Sequence, residues 1–148
     1  MGSSHKEINM PKNSVLLSVV IPCYNSPNTL NNQLKKISRY LIKEKINYEI
    51  ILVNDNPPDQ GKNWKFIKRI SNNYKNIICL QLSRNVGQQL AVICGIEHSK
   101  GKYIVTMDDD DQHNIKYVSD MLKKIKYYDV VIAKLISRKE SNVIRLLG

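Results

Sequence analysis

Four consecutive carboxylates, Asp108 to Asp111, stand directly behind a short apolar run, Tyr103 to Met107. Carboxylates packed this closely repel one another and raise each other's pKa unless a cation sits among them. Asp108, Asp110 and Gln112 alternate along the run. Oxygen ligands at that spacing suit a hard octahedral cation, Mg²⁺ or Mn²⁺, which keeps positions open for phosphate oxygens. The plainer alternative is a solvated loop that supplies an N-cap to the next helix.

Other acidic motifs fit less well. An EF-hand loop beginning at Asp108 would need Gly at position 113 and Glu at 119, where His113 and Ser119 stand. A DxDx(T/V) phosphatase would use Asp108 as nucleophile, but Gln112 occupies the Thr/Val place. GxGxxG, GxxxxGK(S/T) and HExxH are all absent, so dinucleotide, P-loop and zincin readings have no support. His113 either tunes the surroundings of a metal or begins a helix. His5 and His98 carry no catalytic signal.

More polar residues follow other apolar runs: Tyr24 and Asn25 after the first, Asn54 and Asp55 after the second, Arg84 and Asn85 after the third. Tyr24 stands where it could stack on a nucleobase. Trp64 and the remaining tyrosines read as core or helix surface.

The elements that must position these groups follow from periodicity. Ser14 to Cys23 is a β-branched apolar run, as expected of a strand buried on both faces. Ser26-Pro27 reads as a helix start, with Leu30, Leu34, Ile37 and Leu41 recurring behind it. Tyr48 to Val53 is a second strand, followed by the polar loop Asn54 to Gly61. Trp64, Ile67, Ile70 and Tyr74 mark a second helix. Ile77 to Leu82 is a third strand, and Gln88 to Ser99 reads as a buried helix. After the Gly101-Lys102 turn come a fourth strand, Tyr103 to Met107, a helix with Val118, Met121, Leu122 and Ile125 inward, and a fifth strand, Asp129 to Ala133. A last amphipathic segment, Ser141 to Leu147, begins as the chain reaches Gly148. Strict strand–helix alternation predicts an α/β fold, a parallel sheet covered by helices on both faces through right-handed crossovers. Ligands bind such sheets outside the carboxyl ends of the strands, where the polar residues fall.

A length of 148 residues suits one domain. Residues 1–13 read as a flexible leader, either native or added in part for expression, and residues 14–148 as the domain, expected to stop before it is complete. Lys and Arg number 23 against 13 Asp and Glu, a formal charge of +10 that points to an anionic partner or to lysine-rich composition alone. Nucleic acid is disfavoured, because no stacking platform or recognition motif accompanies the charge. Cys23, Cys79 and Cys94 lie in apolar stretches without CxxC spacing and read as reduced, buried thiols. No apolar run approaches the roughly 18 residues that a membrane helix needs.

Together these motifs resemble family 2 glycosyltransferases of the GT-A fold, in particular the dolichyl-phosphate mannose synthase and polyprenyl-phosphate glycosyltransferase branch. The resemblance runs from Leu17 to about Ser141. It rests on Val19-Val20-Ile21-Pro22-Cys23-Tyr24-Asn25, on Val53-Asn54-Asp55-Asn56 with Asp59, and on Leu82-Ser83-Arg84-Asn85-Val86-Gly87-Gln88-Gln89 with Ala91. Its sharpest piece is Met107-Asp108-Asp109-Asp110-Asp111-Gln112-His113, similar to that branch's DxDxQ motif.

The resemblance implies a GT-A, Rossmann-like three-layer sandwich with a mostly parallel central sheet. It implies that Pro22, Tyr24, Asn25, Asp55 and Arg84 line the nucleotide, with Asp55 facing the base. Asp108, Asp110 and Gln112 would hold Mg²⁺ or Mn²⁺ on the diphosphate, and Arg138 would approach the acceptor phosphate. The implied activity is inverting transfer of a hexose from a UDP- or GDP-sugar to a polyprenyl phosphate or a glycan, at the cytoplasmic face of an anionic membrane. The resemblance is compatible with a homo-oligomer and leaves the oligomeric state open. Ser26 departs from the branch's frequent Glu, Asn54 from the first acid of its Asp-Asp pair, and Pro57-Pro58 from its Gly-Ser turn. A non-catalytic nucleotide-binding module, or a phosphatase using Asp108, are the rival readings.

Overall fold

The computed structural model describes residues 14–26, 29–134 and 143–147. The chain runs β1 (Leu17–Cys23), α1 (Thr29–Lys43), β2 (Tyr48–Asn54), α2 (Lys62–Ser71), β3 (Ile77–Gln81), α3 (Gln88–Glu97), β4 (Tyr103–Thr106), α4 (Tyr117–Lys124), β5 (Val130–Lys134) and β6 (Val143–Leu147). One sheet has the order β3-β2-β1-β4-β6-β5. β1 pairs parallel with β2 and β4, and β2 pairs parallel with β3. Every residue of β1 and β2 is buried, as their unbroken apolar runs require.

The last segment, read in the sequence only as amphipathic, supplies the antiparallel part of the mostly parallel sheet. Ser141 and Asn142 lie outside the described residues, but Val143–Leu147 is a strand inserted between β4 and β5 and antiparallel to both. Val143 to Leu147 is a short apolar run around one Arg, too brief for its period to separate helix from strand. Tertiary pairing decides it.

Connection direction explains the layers. From β1 the chain winds outward to β2 and β3, then doubles back past β1 to β4. With crossovers of one hand, reversing direction moves the connecting helix to the opposite face. Accordingly Leu30, Leu34, Ile37 and Leu41 of α1 and Ile67 and Ile70 of α2 share one core with Leu17, Val19 and Ile21. Val118 and Met121 of α4 join that core as well, a departure from the one-handed rule, because β4 to β5 runs in the same direction as β3 to β4. On the other face α3 packs Ala91 against Val20, Ile51 and Val53. Gly95 permits the close approach, because a Cβ there would collide with Val20 and crowd Val53.

α3 is not the buried helix its composition suggests. Only Ala91 and Gly95 are buried, while Leu90 and Ile93 are about half exposed, at 53% and 51%. Of the cysteines only Cys23 is buried; Cys79 and Cys94 are partly exposed, and all three are free thiols. Burial pushes the Cys23 thiol well above its ordinary range, so it remains protonated.

At the amino edge of the sheet, a buried polar knot replaces apolar packing. Ser18 Oγ donates to Glu49 Oε1 (2.7 Å), which also accepts from Lys100 N (2.6 Å), and Gly101 N donates to Ser18 Oγ (2.9 Å). These bonds fasten the α3–β4 turn beneath β1 and β2. No helix among the described residues is long and apolar enough to cross a membrane.

Candidate functional site

The reversal of winding falls between β1 and β4, the point at which such sheets open a crevice at the strands' carboxyl ends. A cleft of about 560 Å³ occupies it. Pro22, Tyr24 and Asn25 enter from β1, Asp55 from β2, Asn85, Gly87 and Gln88 from the loop before α3, and Asp108, Asp109 and Asp110 from β4. Tyr24 is 48% exposed, an apolar ring beside a polar cleft.

Asp55 is almost wholly buried, at 2% exposed, and its carboxylate is fully used. Oδ1 accepts from Val86 N (2.8 Å), and Oδ2 from Gly87 N (2.9 Å) and Asn85 Nδ2 (3.0 Å). Charge-assisted bonds of this kind are the strong ones, and three of them fix the loop before α3 against the end of β2. Gly87 adopts φ 89°, ψ 156°, a region essentially reserved for glycine, and this turns its N–H toward Asp55. Behind it, Asn54 Oδ1 accepts from Asn63 Nδ2 (2.7 Å), and Asn63 Oδ1 accepts from Ser26 N (2.9 Å). Asp59 accepts from the Gly61 and Asn63 amides and so caps the start of α2.

The acidic loop is braced from three sides. Gln33 Nε2, on α1, donates to the Asp108 carbonyl (2.7 Å). Gln88 Nε2, in the first turn of α3, donates to Asp108 Oδ1 (2.8 Å). His113 does not begin a helix, since α4 starts at Tyr117; its ring is buried and Nδ1 accepts from Asp108 N (3.2 Å). Gln112 N caps Asp110 Oδ1 (3.0 Å), and Asp111, at φ 61°, turns away from the cleft to pair with Lys36.

Asp109 differs electrically from its neighbours. Burial raises its carboxyl above the ordinary range, and the charges of Asp110 and Asp108 push the same way. Its Oδ2 is buried without a hydrogen-bond partner. Three carboxylates on one wall, one of them with an orphaned oxygen, present the donor chemistry that a hard cation takes. Among the described residues no group of three or more His, Cys, Asp or Glu side chains is placed to hold a metal ion. A Mg²⁺-like ion needs none, being held by one or two carboxylates together with substrate phosphates.

The cleft thus gathers Pro22, Tyr24, Asn25, Asp55, Asp108 and Asp110 from the residues singled out in the sequence. Arg84 is exposed on the same loop but outside the cleft lining, and Gln112 borders a different cavity beside α1. Arg138 lies outside the described residues. Sequence reasoning assigned no role to Gln33, Asn85, Gly87, Gln88 or Asp109. Asn85, Gly87 and Gln88 sat within a quoted motif, and a glycine opening a helix was the available signal; Gln33, one of several amides on α1, gave none.

An α/β sheet with its reversal point lined by an acidic loop has the architecture of the GT-A class. The family model described as Glycosyl transferase family 2 matches residues 18–146, and the chain belongs to that family. An uncharacterized glycosyltransferase of Synechocystis (sll0501) is 32% identical over 130 residues, 85% of this chain and 39% of the relative. The dolichol-phosphate mannosyltransferase of Pyrococcus furiosus is 31% identical over 110 residues, 74% of this chain and 30% of the relative. The chain therefore spans well under half the length of these curated relatives. Among solved structures, S. aureus TarS in complex with UDP-GlcNAc superposes with a TM-score of 0.61 at 22% identity, covering 84% of this chain and 36% of TarS. The mannosyltransferase PcManGT of Pyrobaculum calidifontis, in complex with GDP-Man and Mn²⁺, gives 0.66 at 17% identity, covering 82% and 35%. At such identities the two structures support the fold.

Proposed function

We propose that residues 14–148 form the nucleotide-sugar-binding part of a metal-dependent, inverting glycosyltransferase that moves a hexose from a UDP- or GDP-sugar to a polyprenyl phosphate. The observation that carries this reading is the convergence of Tyr24, Asn25, Asp55 and Asp108–Asp110 on one cleft at the reversal point of the sheet. The donor class is supported by the UDP-GlcNAc and GDP-Man held by the two structural relatives, and the acceptor class by the dolichol-phosphate mannosyltransferase.

In this reading Tyr24 stacks on the base, and Asp55 acts indirectly by holding the Asn85–Gly87 backbone against which the nucleotide lies. Asp108 and Asp110 hold Mg²⁺ or Mn²⁺. When bound, that ion neutralises charge on the departing nucleoside diphosphate. Gln88 and Gln33 fix where Asp108 presents its oxygens. A polyprenyl phosphate is already ionised at neutral pH, so the acceptor needs no general base to become a nucleophile. Arg138 is proposed, from the family resemblance, to approach that phosphate. A basic chain beside an anionic membrane gains about 1 kcal/mol per Lys or Arg near the surface, which suits a lipid acceptor at the cytoplasmic face.

The test is transfer from radiolabelled UDP- and GDP-hexoses to polyprenyl phosphate, using protein extended to the length of its relatives. Labelled glycolipid that forms with Mn²⁺, and fails to form with EDTA or in Asp110→Ala, supports the proposal. Extension of a saccharide with no glycolipid formed would sink the acceptor assignment.

A further inference from the structure

A second cavity, of about 610 Å³, takes no part in the reading above. Asp108–Asp110 line the donor cleft, whereas residues 111–116 form one wall of this second space and α1 forms the other. Ile37 and Ile115, both buried, supply apolar surface in it. Lys36, Arg39, Lys43 and Lys116 line it. On α1 the helical repeat brings Lys36, Arg39, Tyr40 and Lys43 onto a single stripe.

The groove is predominantly positive in charge. Asp111 is the one carboxylate in its lining, and Lys36 already pairs with it. No ion pair among the described residues engages Arg39, Lys43 or Lys116. His113 belongs to the body of the wall, its side chain fully buried. Because its Nδ1 accepts from Asp108 N, the ring hydrogen sits on Nε2. That Nε2 is buried without a hydrogen-bond partner, and Asp108 Oδ2 is 3.9 Å away. The wall is also set in advance: Tyr40 Oη shares a hydrogen bond with Ser119 Oγ (2.7 Å) and donates to the Lys116 carbonyl (3.3 Å). A fixed concavity with guanidinium and ammonium donors outside any ion pair matches an acceptor-rich anion.

We propose that the groove between α1 and residues 111–116 binds a phosphate-bearing ligand, separately from the nucleotide cleft. The ligand is either a soluble phosphate compound or the headgroup of an anionic lipid, and both present the same chemistry to Arg39, Lys43 and Lys116.

Two probes separate these sources. Inorganic pyrophosphate is titrated calorimetrically into the chain in EDTA, which keeps a divalent ion from recruiting it to the donor cleft. Phosphatidylglycerol vesicles, with phosphatidylcholine vesicles as reference, are tested by co-sedimentation. Arg39→Gln/Lys43→Gln is compared with Lys65→Gln/Lys68→Gln, which removes equal charge from exposed positions on α2, and with Asp110→Ala. The groove predicts that one probe binds, that Arg39→Gln/Lys43→Gln weakens it about tenfold at unchanged Tm, and that the α2 variant and Asp110→Ala bind like the parent. Pyrophosphate binding assigns a soluble ligand; selective sedimentation with phosphatidylglycerol alone assigns a lipid. Failure of both probes, or an equal loss in the α2 variant, overturns the proposal. Because nucleotide binding is scored on Asp110→Ala, the groove and the donor cleft can fail independently.

Discussion

The Asp55 carboxylate is engaged by the chain's own loop. Its two oxygens receive three N–H donors from the loop before α3, so Asp55→Ala leaves three donors of a part-buried loop unpaired. A loss of about 2–4 kcal/mol in urea-unfolding stability is expected, together with weakened nucleotide affinity. Gly87→Ala strains the same junction through its backbone and is expected to cost about 1–3 kcal/mol. Asp109 predicts the opposite sign. Its pKa is raised on folding, so the folded state binds more protons than the unfolded state between the ordinary carboxylate pKa and the raised one. Stability from this group therefore falls as pH rises through that window. Metal-free Asp109→Asn should melt at higher temperature than the parent at pH 7, and the difference should vanish as pH drops below the ordinary Asp range. A lower Tm for Asp109→Asn at pH 7 would refute the burial argument.

At the scale of elements, much of the sheet was legible because β1 and β2 are unbroken apolar runs and α1 and α2 have one apolar face each. The acidic loop was legible for the same reason: charge directly after a buried strand has few structural explanations. Three features were not. The antiparallel β6 depends on pairing between β4 and β5, information that local periodicity lacks. The half-exposed outer side of α3 was hidden because Leu90 and Ile93 have the same composition as core residues. The knot of Ser18, Glu49, Lys100 and Gly101 joins residues distant in sequence, and a strand glutamate gives no local sign of burial. Glu49→Ala would leave Ser18 Oγ and Lys100 N without their acceptor, at an expected cost of about 1–3 kcal/mol by chemical denaturation. Retention of full stability would show that water replaces the carboxylate.

For the whole molecule, the order β3-β2-β1-β4 dictates where a ligand binds before any side chain is considered, and the motif residues then meet at that point. The excess of basic residues, 23 against 13 acidic, favours anionic partners at long range, and the proposed nucleoside diphosphate and anionic surface are two of them. Both attractions should weaken with ionic strength, as screening requires.

The central claim is that the cleft at the β1–β4 reversal is a metal-dependent nucleotide site. Calorimetric titration of UDP and GDP into the chain, with Mn²⁺ and with EDTA, tests it most directly. The expected result is saturable binding of one nucleotide in Mn²⁺ that disappears in EDTA and in Asp110→Ala. Binding of neither nucleotide by folded protein, or binding indifferent to both EDTA and Asp110→Ala, would contradict it.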